Sequence, residues 1–377
     1  MRAWVDISLD NIEHNFKLIR ERAGSAQVMA VVKANAYGHG AVEVARLLES
    51  CGADRFAVAT AEEAKELRDG GITHPVMILG WSEPEWAAEL ASLDVIQTVG
   101  SLEYAEILDR ALKGLGKKLT VHFGVDTGMS RLGFETGPSD MERSVSEIAA
   151  AVQLENLRAE GIFTHFATSE IPGETFQREQ LERFETMLSL LELGGVELPV
   201  VHMSNSGAIF NIPSARFDLV RPGIVLYGVS PDAEVLPTNE LRPAMTLKAR
   251  IVQIHDYSDP VTVSYGRKFR SEGAIRTGTV SVGYADGLHR VLSGKIDMLV
   301  HGKRVPQIGN ICMDMCMIDL TGVPEAKVGD EVTIFGEGLP VEEAAAAAGT
   351  IPYEIMCAPS ARVKRVYHYR GKTWLSK

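Results

Sequence analysis

The chain has 377 residues, 45% apolar and 23% charged, with 38 basic against 50 acidic side chains for a net charge of −12. This is an ordinary globular composition with enough material for two domains. The acidic balance disfavours non-specific nucleic-acid binding and polybasic membrane attachment. Asp6, Asp10, Glu13 and Lys17 interrupt the N-terminal segment, so no apolar secretion signal is expected, and no apolar run is long enough for a bilayer. Four cysteines (Cys51, Cys312, Cys316, Cys357) are scattered along the chain, and the Cys312/Cys316 pair lacks the second pair that a structural zinc needs. The expectation is a reduced, cytoplasmic enzyme with no metal site.

A helical pattern at Leu9–Ala23 precedes a run of alternating strand-like and helix-like segments. The strand candidates are Val28–Val32, Arg55–Ala59, Pro75–Leu79, Asp94–Val99, Lys118–Phe123, Ala159–His165, Pro199–Met203 and Asp218–Arg221. Helical patterns lie between them at Ala41–Cys51, Ala61–Asp69, Ser101–Lys113, Met141–Val152 and Phe176–Leu193, while the short Ser206–Pro213 connection leaves its helix undecided. This alternation predicts an α/β (β/α)8 TIM-like barrel over residues 1–235. Ser230–Glu240, with Pro231 and Pro237, reads as the linker. Beyond it, short β-rich segments at Thr246–Ile254, Val261–Ser264, Thr279–Val282, Asp297–Val300, Val305–Ile308 and Val332–Ile334 predict a mostly antiparallel β domain over 236–377, with one surface helix at Val341–Ala348.

Lys33, Arg131, His165, Ser206 and Arg221 all fall at or just after the carboxyl ends of predicted barrel strands, the face on which such barrels build active sites. Most strand-end lysines are simply solvated. At a barrel mouth, however, partial desolvation can leave an amine able to attack a carbonyl. Ser204-Asn205-Ser206-Gly207 and Arg221-Pro222-Gly223-Ile224 follow the seventh and eighth strands, where barrels commonly cradle a phosphate on backbone N–H groups and hydroxyls. Either segment alone reads equally as a turn.

Lys33-Ala34-Asn35-Ala36-Tyr37-Gly38-His39-Gly40 resembles, at every position, the pyridoxal-phosphate attachment segment of the alanine racemases, enzymes of fold type III. Further segments resemble the family in the same order: Asp126 to Phe134 around Arg131, Thr164-His165-Phe166-Ala167, Val263-Ser264-Tyr265-Gly266, Gly283 to Gly287 around Tyr284, Cys312-Met313-Asp314 and Tyr353-Glu354. The resemblance implies pyridoxal 5'-phosphate on Lys33, its phosphate held by Tyr37, Asn205, Ser206, Gly223, Ile224 and Tyr353, its ring beside His165, and Arg221 against its pyridine nitrogen. It implies two bases, because a racemase must take the α-proton from one face and return one to the other. Lys33 would serve D-alanine, and Tyr265, from the partner subunit of a homodimer, L-alanine. Arg131, Met313 and Tyr284 would meet the substrate, and the product would be D-alanine for peptidoglycan.

The chain also departs from the family pattern. Gly124 stands where many members carry a lysine that can be carbamylated to hold the arginine at 131. Asn310 replaces a common arginine, Met315 a common glutamine, and Glu170 a common aspartate. These changes touch the substrate corridor, so a serine or broad-specificity amino-acid racemase is the alternative. A non-catalytic pyridoxal-phosphate carrier is disfavoured, because such proteins resemble the barrel but lack the β domain and its tyrosine.

Overall fold

The computed structural model describes residues 1–171, 173–231 and 240–376. It forms two compact units: Glu13–Ala36 with Ala41–Leu241, and Met1–Ile12 with Tyr37–Gly40 and Arg242–Lys377. The expected linker falls largely on residues 232–239, and with it the 235/236 boundary lies outside the described residues.

In chain order the first strands are β1 (Ala3–Ser8), β2 (Gln27–Val31), β3 (Arg55–Val58), β4 (Val76–Ile78), β5 (Val95–Val99), β6 (Leu119–Asp126), β7 (Phe134–Glu135), β8 (Leu157–Phe163), β9 (Val200–His202) and β10 (Leu219–Val220). Eight of them, β2 to β6 and β8 to β10, pair in parallel around a ring that closes where Leu219 meets Gln27 and Val220 meets Val28. All five residues of β5 are buried, as expected of strands covered on both faces. Polar caps start several helices directly after strand ends: Thr60 accepts from the Glu63 N–H, Ser101 from Tyr104 and Asn205 from Ala208. The Asn205 cap decides the doubtful segment, and Ser206–Asn211 is a helix. β6 runs past its expected end at Phe123, because Gly124 still pairs with Phe163, and Val125 and Asp126 pair with β7.

The other unit carries β11 (Met245–Tyr257), the hairpin β12 (Thr262–Val263) and β13 (Phe269–Arg270), β14 (Ile275–Val280), β15 (Asp297–Val300), β16 (Lys303–Ile308), β17 (Cys316–Asp319), β18 (Glu331–Phe335), β19 (Lys364–Tyr369) and β20 (Lys372–Leu375). Its sheet runs β14-β17-β16-β15-β18-β11-β1-β19-β20, and β14 also pairs with β11, so six of its strands close a second ring. The long β11 makes this possible. Leu247–Arg250 pair with β18, Ile251–Tyr257 pair with β14, and a register shift between Ile251 and Gln253 turns the strand from one neighbour to the other. β1 lies antiparallel to β11 and parallel to β19.

Residues Tyr37–Gly40 are tied down within this unit by one buried guanidinium. Arg365 donates to the carbonyls of Gly38 (3.0 Å), Ser360 (2.9 Å), Val363 (2.8 Å) and Pro359 (2.7 Å). Gly40, at φ +99°, lies so close to the Tyr367 hydroxyl that a Cβ would overlap it. Replacing Arg365 with alanine strands these carbonyls and should cost about 3 kcal/mol. Urea unfolding checks this, and an unchanged midpoint would contradict it.

Candidate active site

In the barrel unit, every singled-out residue lies just beyond a strand's carboxyl end: Lys33 after β2, Arg131 after β6, His165 after β8, Asn205 and Ser206 after β9, and Arg221, Gly223 and Ile224 after β10. Lys33 opens a segment of unusual backbone. Ala34, Asn35, Ala36 and Tyr37 have φ of 52–53°, a left-handed turn that costs L-residues about 1–2 kcal/mol each. Polar anchors hold it. The Glu63 carboxylate accepts from the N–H of Ala34 (2.7 Å) and of Ala59 (2.8 Å), and Asn35 Oδ1 accepts from the Ala41 N–H (2.8 Å).

Arg221 is the centre of the ring, with only 3% of its surface exposed. Nη1 donates to His202 Nδ1 at 2.8 Å; Nη2 donates to the Thr164 carbonyl (2.7 Å), the Met203 carbonyl (3.1 Å) and His165 Nδ1 (3.2 Å). Nε makes no hydrogen bond among the described residues. Burial, with Arg131 nearby, pushes the guanidinium down to about 9, so it still holds its proton at neutral pH. Burial and the charges of Arg221, Arg131 and Lys33 press the His165 imidazole well below its ordinary value. Buried Gln180 fixes the His165 segment, donating to the His165 carbonyl (3.0 Å) and Thr127 Oγ1 (3.1 Å) and accepting from the Ala167 N–H (3.0 Å).

Ser206 Oγ accepts from the Gly223 N–H at 2.8 Å, joining the two loops read from the sequence as a phosphate cradle. Arg131 is exposed and has no hydrogen bond or ion pair among the described residues. Beside it a cavity of about 40 Å³ is lined by Leu79, Val125, Asp126, Met129, Leu132, Phe163 and His165. A Cβ on Gly124 would make ordinary contacts with Phe163 (3.4 Å) and Thr98 (3.5 Å). No side-chain anion reaches Arg131 from that position.

In the β unit, Tyr265 tips the β12–β13 hairpin. Val263 at the hairpin's base is buried with Ile275 and Ile308, and Phe269 packs against them. Tyr265 itself is 73% exposed. Ser264 sits at φ 66°, ψ −177°, a conformation that is almost a glycine preserve. A reciprocal clamp holds it there: Ser264 Oγ donates to the Asn310 carbonyl (2.6 Å) and Asn310 Nδ2 donates to the Tyr265 carbonyl (2.7 Å). Tyr284 and Met313 are exposed on adjoining segments, the N–H of Tyr284 bonding to the Cys312 carbonyl (3.0 Å) and that of Ala285 to the Met313 carbonyl (3.0 Å). Tyr37 and Tyr353 have ring centroids 5.9 Å apart, and burial pushes the Tyr37 hydroxyl upward.

Models of the alanine racemase N-terminal and C-terminal domains match residues 7–231 and 244–367. The chain belongs to the alanine racemase family. It is 45% identical over 375 residues (98% of this chain, 96% of the relative) to alanine racemase 2 of Caldanaerobacter subterraneus subsp. tengcongensis, and 43% identical over 370 residues (97% and 98%) to alanine racemase of Methanococcus maripaludis. Among solved structures it matches alanine racemase of Clostridium difficile 630 with TM-score 0.95 and 39% identity, covering 100% and 98% of the two chains. A Bacillus anthracis alanine racemase with bound L-Ala-P matches with TM-score 0.94 and 35% identity, covering 100% and 97%. The alanine racemase fold, a parallel eight-strand barrel followed by an antiparallel-strand domain, is the architecture expected from the sequence.

Sequence reasoning passed over Glu63, His122, Glu160, Gln180 and His202. The available signal was a polar residue inside an otherwise apolar strand, as at His122 and His202. His122, His165 and His202 all have depressed values, each chiefly through burial. The unfolded chain therefore binds more protons than the folded one below the free value of 6.5, and stability falls as pH drops beneath it. Calorimetry should give a lower melting temperature at pH 5.5 than at pH 7.5; equal values would refute neutral burial.

Proposed function

We propose that this alanine racemase interconverts L- and D-alanine with pyridoxal 5'-phosphate as cofactor and two bases, Lys33 and Tyr265. The observation that carries the reading is the barrel ring itself. It brings an amine (Lys33), a charge-holding guanidinium with a spare donor (Arg221), a neutral imidazole (His165) and an unpaired cation (Arg131) to one face. These donors fit an anionic aromatic cofactor: Ser206, Asn205 and the backbone of Gly223 and Ile224 would hold its phosphate together with Tyr37 and Tyr353, and His165 would lie by its ring. When bound, the cofactor supplies an electron sink that acidifies the substrate's α-proton.

Arg221 offers Nε as a hydrogen-bond donor but does not release a proton at neutral pH, which keeps that sink weak. Proton removal and return are then favoured over cleavage of other bonds. Arg131, with no carboxylate partner among the described residues, is available to the substrate carboxylate. Lys33 moves the α-proton on the D-alanine side, and Tyr265 moves it on the other.

Tyr265, Tyr284 and Met313 form an exposed aromatic and thioether surface, 73%, 42% and 52% open, of a kind that marks an interaction site. A second copy of the chain is proposed to cover it, making a homodimer in which Tyr265 works in the neighbouring site. In a bacterial cytoplasm the product would serve peptidoglycan synthesis. The names of the relatives favour alanine over serine.

Lys33→Ala should abolish D-alanine formation from L-alanine, and Tyr265→Phe should reduce it by about 100-fold or more. In Tyr265→Phe, solvent deuterium should still enter D-alanine faster than L-alanine, because Lys33 remains. Chiral chromatography and mass spectrometry follow both, with L-serine as a competing substrate. Equal deuterium entry into both isomers would overturn the assignment of faces, and faster D-serine formation the choice of substrate.

A further inference from the structure

Beneath Arg221 an unbroken line of side chains runs down the inside of the barrel. His202 Nδ1 is 2.8 Å from Arg221 Nη1, His202 Nε2 is 2.8 Å from His122 Nδ1, and His122 Nε2 is 2.9 Å from Glu160 Oε2. The same Glu160 oxygen receives Arg55 Nη1 at 2.9 Å from the start of β3, across the barrel. His122 and His202 have no exposed surface. Gly161 is what admits the His122 ring, since a Cβ there would lie 2.8 Å from His122 Cε1 and 2.9 Å from Nδ1. His202 stacks on Phe163 at 4.9 Å and 11°, which sets its plane.

Each link has a single allowed direction. A guanidinium only donates, so His202 Nδ1 must accept. Neutral His202 then carries its proton on Nε2 and gives it to His122 Nδ1. Neutral His122 carries its proton on Nε2 and gives it to the carboxylate. Protonating either ring would set two donors face to face inside the barrel.

We infer that His202, His122 and Glu160 are positioning residues for Arg221, forming a one-way hydrogen-bond string that holds the guanidinium charged and aimed. The string polarises toward Arg221 the negative charge of a carboxylate that never touches it, and hydrogen-bonded chains of this kind strengthen one another. No proton travels along it. The effect on catalysis rests on the proposed place of Arg221 beside the cofactor.

Two measurements test this. In the holoenzyme labelled with ¹⁵N-histidine, NMR at neutral pH should show His122 and His202 as neutral Nε2–H tautomers; an Nδ1–H form or an imidazolium at either would overturn the string. This needs no variant and does not depend on turnover. In Glu160→Gln the cofactor should remain bound, its absorption band should shift, and kcat should fall about tenfold in both directions with KM for alanine little changed. A lower melting temperature with an unaltered band and kcat would reduce Glu160 to a structural role and overturn the proposal. Correct tautomers in a wild-type protein without racemase activity would leave the string standing and sink the proposed reaction instead.

Discussion

A guanidinium with 3% of its surface exposed must find acceptors for its charge, and much of the barrel's interior is arranged to supply them. Arg221 meets two carbonyls and two imidazoles, lies over the Phe163 ring at 5.4 Å, and has no carboxylate partner among the described residues. Leaving a cation buried without compensation is among the most destabilising things a core can contain. Here the compensation is dipolar and spread out, with the nearest anion in line two imidazoles away. Glu160 in turn is driven down to about 2, chiefly by the hydrogen bond from His122, with Arg55 adding to it, and so stays ionised. The arrangement requires neutral histidines, and complete burial of His122 and His202 favours that form.

Strain is the second organising feature, and it appears in both units at the residues proposed to move protons. Lys33 is followed by four left-handed residues, and Tyr265 is preceded by one in a region glycine usually occupies. Side-chain hydrogen bonds hold both: the Glu63 carboxylate and the Asn35 amide at residues 34–41, and the Ser264–Asn310 exchange in the β unit. The Asn310 substitution, which looked in the sequence like a loss of charge along the substrate corridor, therefore has a structural task in this chain. Its amide holds the carbonyl of Tyr265 itself.

The barrel was legible because its strands are short, β-branched and punctuated, so local pattern and tertiary role agree. Ala61–Asp69 and Met141–Val152 have the bounds that their periodicity predicts. The β unit was less legible. β17 has only four residues, and β19 and β20 form a hairpin across Arg370-Gly371 whose arms, Lys364–Tyr369 and Lys372–Leu375, carry no clean apolar alternation, so neither gave a strand signal. β1 joins a sheet whose neighbours β11 and β19 come more than two hundred residues later. The short helices Ala87–Ser92 and Pro352–Cys357 carry too few turns for a periodic signal.

The sequence by itself determined which chemical groups stand at the barrel mouth, since a parallel strand ending in Lys33, His165 or Arg221 delivers its next residue to that face whatever the rest does. It also determined the family, through ordered segments spanning the chain. Only the tertiary structure decided how those groups are held. The Arg221–His202–His122–Glu160 line joins residues from different strands, and its direction depends on hydrogen-bond distances that no local pattern encodes. The backbone of residues 34–37 and 264 is likewise set by anchors distant in the chain, because L-residues adopt those angles only when the surrounding fold requires it.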